Sequence, residues 1–172
     1  MSDRALDKKD AVPDLTLERV TYADPAVVAL TAEVQEYYRK IYGGPDDAPL
    51  ANEELAPPAG TFLLARLDGE PVGMGGWRRV SGVEALGGEH PAELRRMYTA
   101  PTARHRGVAR ALLTELERAA AELGADVMVL STGWRQQDAV AFYRSCGYTD
   151  IGVFGHWAEA EGIVCLGRRL AG

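Results

Sequence analysis

The stretch ARHRGVARALL, residues 103–113, places Arg104, Arg106 and Arg110 around Gly107 where an apolar helical pattern begins. The first amides of a helix have no intrahelical acceptor and stand at the positive end of its macrodipole. Arginines at that end cost about a few tenths of a kcal/mol each, so their presence asks for an anionic partner. A diphosphate there would accept main-chain hydrogen bonds from residues 104–109 (Arg104, His105, Arg106, Gly107, Val108 and Ala109), with charge-assisted contacts from Arg104, Arg106 and Arg110. Gly107 lets the backbone approach a ligand closely, and Ala109 keeps the next turn small. The spacing is neither a Walker A loop nor G-x-G-x-x-G. The other reading is a solvated helix start with a convenient glycine.

The elements that must hold this stretch follow from periodicity. LTLERV (15–20) alternates as a strand does, and Asp24-Pro25 caps a helix bearing Val27, Leu30, Val34, Tyr37, Tyr38 and Ile41. Residues 43–60 read as a long Gly-, Pro- and acid-rich loop. Asp68-Gly69 predicts a hairpin turn between two strands, and AELRRMYTA adds a third. Gly73-x-Gly75-Gly76 lies inside this hairpin and predicts a bulge or a close backbone contact. Leu112, Leu113, Leu116, Ala120 and Leu123 make one helix face that stops at Gly124. DVMVL reads as a buried strand. A further helix carries Ala139, Phe142, Tyr143 and Cys146, and strands are expected at 151–154 and 163–170. The order predicts an α+β fold: a mixed, mostly antiparallel sheet with helices on both faces, one domain over 14–172 after a frayed tail at 1–13.

Net charge is −6, which disfavours nucleic-acid binding. No apolar run is long enough to span a bilayer, and the first ten residues lack the apolar core of a signal peptide, so a cytoplasmic protein without membrane contact is expected. Cys146 and Cys165 read as reduced thiols, and the scattered His90, His105 and His156 predict no metal site.

Two segments carry a family resemblance. ELRRMYTAPTARHRGVARALL is similar to the cofactor motif of GNAT-type N-acetyltransferases, a strand and loop leading into Arg/Gln-x-x-Gly-x-Gly/Ala, filled here by Arg104, Gly107 and Ala109. QQDAVAFYRSCGY resembles that family's second motif through Gln136, Ala139, Tyr143, Gly147 and Tyr148. The resemblance covers about Leu15 to Leu170. It implies acetyl-CoA as the cofactor, a splayed strand pair, and pantetheine pairing with the main chain of Met97, Tyr98 and Thr99. It also implies a diphosphate on residues 104–109 and a contact from Gln136, where asparagine is more frequent in the family.

Acetyl transfer to an amine requires removal of a proton, stabilisation of the carbonyl oxygen and stabilisation of the leaving thiolate. The resemblance assigns Glu93 as the base, directly or through a water, and Tyr143 as the group that meets the leaving sulfur. A phenol titrates near pKa ~10 and a thiol near ~8.5. On spacing alone Glu93 also reads as a solvated strand-end carboxylate, and Tyr143 as a core aromatic. Arg95 and Arg96 follow Glu93; one is expected to face out and the other to steady the site. A main-chain N–H near Met97 or Tyr98 would serve the oxygen.

The acceptor side would be walled by the first helix and the loop after it, with Tyr37, Tyr38 and Trp77 as substrate contacts. Tyr42, Asp46, Asp47, Glu53 and Glu54 lie there too, and together with the tyrosines they suit a cationic amine. The same residues also read as a packed helix face and a soluble loop. Trp77 and Trp134 read as pocket walls or as core. A small-molecule amine is the expected acceptor, and a homodimer is the assembly suggested by analogy. The other class of function is a non-catalytic acyl-CoA-binding or sensor module on the same scaffold.

Overall fold

The computed structural model describes residues 14–171. The tail expected at 1–13 lies outside the described residues. Strands β1 (Leu15–Arg19), β2 (Gly60–Leu67), β3 (Glu70–Arg79), β4 (Pro91–Thr99), β5 (Val127–Gly133), β6 (Thr149–Asp150) and β7 (Ile163–Arg169) form one sheet. Its spatial order is β1-β2-β3-β4-β5-β7-β6. Only β4 and β5 pair in parallel, so the sheet is mixed and mostly antiparallel. The helices are α1 (Pro25–Tyr42), α2 (Val108–Glu122) and α3 (Gln137–Ser145).

Strand alternation decides which helix each residue meets. Leu63, Ala65 and Leu67 of β2 pack toward Leu112, Leu113 and Leu116 of α2. Phe62 and Leu64, on the opposite face, pack with Val27, Leu30 and Val34 of α1. In β5, Met128 and Leu130 belong to the α2 side, while Val127 and Val129 join Phe154 and Cys165 on the other. Both faces of the central strands are therefore buried, which is why they read as near-continuous apolar runs. The Asp24 side chain accepts from the Ala26 amide at 2.9 Å, as its place before Pro25 predicts.

Two features position the site. First, β4 and β5 are paired only from Pro91–Val127 to Glu93–Val129. Beyond Glu93 they splay, which leaves β4 without a strand partner on that side. Second, β4 carries a bulge. Met74 aligns with Tyr98 and Gly76 with Arg95, so Gly75 alone faces both Arg96 and Met97. Arg96 takes a left-handed φ of 58°. A Cβ on Gly75 would stand 2.3 Å from Met97 Sδ, so a larger residue there requires the Met97 side chain to move. The glycine run read from the sequence is thus the close contact, and the bulge lies opposite it on β4.

The expected strand at 151–154 is not formed. The pairing segment is Thr149–Asp150, one hydrogen bond continues from Ile151 to Cys165, and the chain then leaves the sheet. Gly152 and Gly155 interrupt this segment, and Val153 is exposed rather than packed. Residues 151–162 instead make a loop that crosses back toward α1.

Candidate active site

The splay opens into a cavity of about 300 Å³. Its walls come from β4 (Glu93 to Met97), β5 (Leu130 to Gly133), α3, the loop after α1 and the 151–162 loop. Tyr143 enters it from α3, where the turn of the helix that buries Tyr143 also carries Ala139. Burial, the nearby Tyr38 and Cys146 all push the Tyr143 phenol up, burial most. The phenol therefore stays protonated throughout the physiological range and presents a hydrogen-bond donor.

Glu93 is buried, with one carboxylate oxygen (Oε2) accepting from Arg78 at 3.1 Å. Its other oxygen lies 3.8 Å from Arg95, beyond hydrogen-bond length. Arg78 also donates to Glu54 at 2.8 Å. The Ala51 amide and Arg78 together hold the Glu54 carboxyl below its ordinary range. Arg96 donates to Asp46 at 2.6 Å and to the Tyr22 hydroxyl at 3.1 Å. Asp46 also accepts from Trp157 Nε1 at 3.1 Å, and Gln35 brackets its main chain at 2.8 and 2.9 Å. This ties the loop after α1 to the 151–162 loop, and His156 adds a 3.2 Å contact to Asp47.

Several expectations change here. Arg95 and Arg96 both wall the cavity, because the bulge breaks the alternation that would turn one of them away. Of the substrate contacts expected, Tyr38 lines the cavity, whereas Tyr37 and Trp77 do not. Tyr37 is one residue round the helix and partly exposed. Trp77 is fully buried in the α2-side core, since its neighbour Arg78 takes the cavity side of β3 and alternation sends Trp77 the other way. Trp134 is exposed, with the Arg135 guanidinium 4.7 Å over its ring. Asp46 and Glu54 are committed to arginines, so they do not form the open acidic wall that a cationic acceptor would need. Gln136 precedes α3, lines the cavity and donates to the Tyr42 hydroxyl at 3.4 Å. Arg78, His156 and Trp157 were not singled out from the sequence; an arginine late in an apolar strand and a tryptophan in a loop were the available signals.

The start of α2 fits an anion. Gly107 caps it with φ 79° and no side-chain cap, His105 is also left-handed at φ 63°, and no acidic residue stands in the first turn. The first intrahelical bond runs from the Ala111 amide to the Gly107 carbonyl at 3.0 Å, so the amides of Val108, Ala109 and Arg110 precede it. Arg104, His105, Arg106 and Arg110 are exposed around them, with Arg110 6.0 Å over the Phe142 ring. Tyr98, Thr99 and residues 104–110 lie outside the cavity walls, further along the chain from Met97. Among the described residues no cluster of His, Cys, Asp or Glu has metal-binding geometry, and no helix is long and apolar enough to cross a membrane.

The buried phenols imply an alkaline weakness. Burial, followed by Asp46, raises Tyr38 to about 12; burial also raises Tyr143 and Tyr148, the latter donating to Glu117 at 2.8 Å. Above about pH 10 the unfolded chain releases phenolic protons that the fold retains, so stability is full below that pH and falls as pH rises. Thermal unfolding across an alkaline series is expected to show a declining Tm from about pH 10 upward, and Tyr38→Phe to lessen the decline up to pH 12.

The family model described as acetyltransferase (GNAT) matches residues 27–148. An IAA acetyltransferase of Azospirillum brasilense is 34% identical over 144 residues, 84% of this chain and 90% of that protein. A Klebsiella pneumoniae structure provisionally assigned as an acyl-CoA N-acyltransferase superposes with TM-score 0.72 at 25% identity, covering 91% of this chain and 98% of that one. The PaiA N-acetyltransferase of Thermoplasma acidophilum, solved with coenzyme A, shares the fold at TM-score 0.67 and 16% identity over 91% of this chain and 99% of that one.

Proposed function

This chain belongs to the GNAT acetyltransferase family, and from that premise we propose that it moves an acetyl group from acetyl-CoA to the primary amine of a small molecule, by direct attack in a ternary complex. The observation that carries this reading is the unpaired edge of β4 beyond Glu93, which shares one cavity with the Tyr143 phenol. Support for the small acceptor comes from the cavity volume and from the Azospirillum relative.

Acetyl-CoA supplies an activated thioester carbonyl. The uncapped amides of Val108 to Arg110, with Arg104, His105, Arg106 and Gly107, hold its diphosphate. The main chain of Met97, Tyr98 and Thr99 pairs with the pantetheine arm, and Gln136 borders it. An N–H near Met97 or Tyr98 donates to the carbonyl oxygen as charge gathers there. Glu93 takes the proton of the acceptor ammonium, directly or through a water, on the carboxylate oxygen that Arg78 leaves uncommitted. Tyr143 donates a hydrogen bond to the departing sulfur. Its raised pKa makes it a steady donor; outright proton transfer to a thiolate of pKa ~8.5 runs uphill. Tyr38 borders the acceptor.

The test follows free CoA while acetyl-CoA is mixed with a panel of primary amines. At least one amine is expected to raise thiol release well above the hydrolytic background, and Glu93→Gln to lower kcat for that amine by about 10²-fold or more. Tight acetyl-CoA binding with no thiol release on any amine would favour a binding or sensor module instead.

A further inference from the structure

Building on amine acetylation as the reaction, we propose that the acceptor is an amino carboxylate and that Arg95 binds its carboxylate. Three guanidinium groups wall the cavity, and two have their partners. Arg78 is held between Glu54 and Glu93, and Arg96 between Asp46 and Tyr22. Arg95 makes no side-chain hydrogen bond among the described residues. Its side chain is 9% exposed, its Nη2 is buried without a partner, and its nearest acid is the Glu93 oxygen at 3.8 Å.

A guanidinium carries five N–H donors and does not lose its proton in a protein, so burial cannot be relieved by neutralisation. A buried donor without an acceptor is costly, more so when charged. The strain is visible in the titration direction: burial lowers Arg95 from its ordinary value, and Glu93 opposes this only in part. Arg95 lines the cavity, and a planar guanidinium matches a carboxylate through two parallel hydrogen bonds. Its place on the strand suits the reaction. Arg95 lies two residues before Met97 on the strand whose edge the splay frees, across the Arg96 bulge. That separation lets one small molecule present its amine toward Met97 and its carboxylate toward Arg95. Both Arg95 and Met97 line the cavity, with the bulge at Arg96 between them.

The probes are the L-amino acids, each measured beside its own carboxamide, with free CoA release as the readout. The wild-type protein is expected to turn over its preferred amino acid with kcat/KM at least 10-fold above the carboxamide. Arg95→Gln is expected to erase that preference, chiefly by raising KM for the amino acid 10- to 100-fold, and Arg95→Lys to recover part of it. Equal turnover of acid and amide by the wild-type protein overturns the proposal, even if Arg95→Gln fails to fold. Calorimetry of the CoA-loaded protein with the same amino acids separates this site from the reaction. Heat that is lost in Arg95→Gln, without any thiol release, upholds the carboxylate site and sinks acetyl transfer. Thiol release from amines without carboxylate preference does the reverse. Neither heat nor release overturns both.

Discussion

Valine in place of Gly107 is expected to weaken coenzyme A binding by about 100-fold while the protein still folds. An added Cβ at Gly107 has no heavy atom within 4 Å, so the substitution meets open space rather than the core. Two effects then act on the ligand. The left-handed φ of 79° strains a β-branched residue by roughly 1–2 kcal/mol. The side chain also rises beside the amides of Val108 to Arg110, where each lost charge-assisted hydrogen bond costs about 1.5–3 kcal/mol. One such bond lost sets about one to two powers of ten in Kd, and any strain that the unliganded loop relieves adds to it. Gly107→Asn separates the two, because asparagine tolerates left-handed backbone yet fills the same space. Calorimetry with coenzyme A, alongside thermal unfolding of each variant, provides the check. Wild-type affinity in Gly107→Val would remove the diphosphate from the start of α2.

The second large effect is expected from Tyr143→Phe, which should lower kcat by about 10- to 100-fold and leave the Kd for coenzyme A within a few-fold of wild type. The change deletes one donor and no volume to speak of, and the ring keeps its edge-on contact with Tyr148 at 5.7 Å. A hydrogen bond to a charged group contributes about 1.5–3 kcal/mol, which sets the range. Because burial holds the phenol protonated, the pH profile of kcat should show no alkaline limb from Tyr143 within the range where the protein is folded. Rapid-quench or steady-state kinetics with saturating acetyl-CoA measures both. An unchanged kcat would return Tyr143 to the core, as its α3 neighbours already suggest for part of its ring.

These two positions were legible in the chain because each rests on short-range rules. The α2 start follows from a strand ending, a glycine and an apolar 3.6-residue repeat within a dozen residues. Tyr143 stands out through the resemblance of QQDAVAFYRSCGY to the family's second motif, since its spacing alone reads as a core aromatic. The hairpin turn at Asp68-Gly69 was equally local: the two residues have φ of 48° and 85°. The element order followed from these pieces, and the one expected strand that does not form, at 151–154, contains Gly152 and is followed by Gly155.

What no local rule reports is which charge meets which. Arg78 reaches Glu93 across 15 residues and Glu54 across 24, and Arg96 reaches Asp46 across 50. Those pairings engage Asp46 and Glu54 of the acidic loop that read as a wall for a cationic amine, and among the described residues they leave Arg95 as the cavity guanidinium without a hydrogen bond. The bulge matters in the same way. Alternation predicts opposite faces for Arg95 and Arg96, but one residue of extra chain opposite Gly75 turns both into the cavity. Local sequence therefore determined the helices, the strands and the anion-ready helix start. The register of β3 against β4 and the packing of two loops decided the polarity of the acceptor pocket, because charge pairing depends on proximity in space and not along the chain.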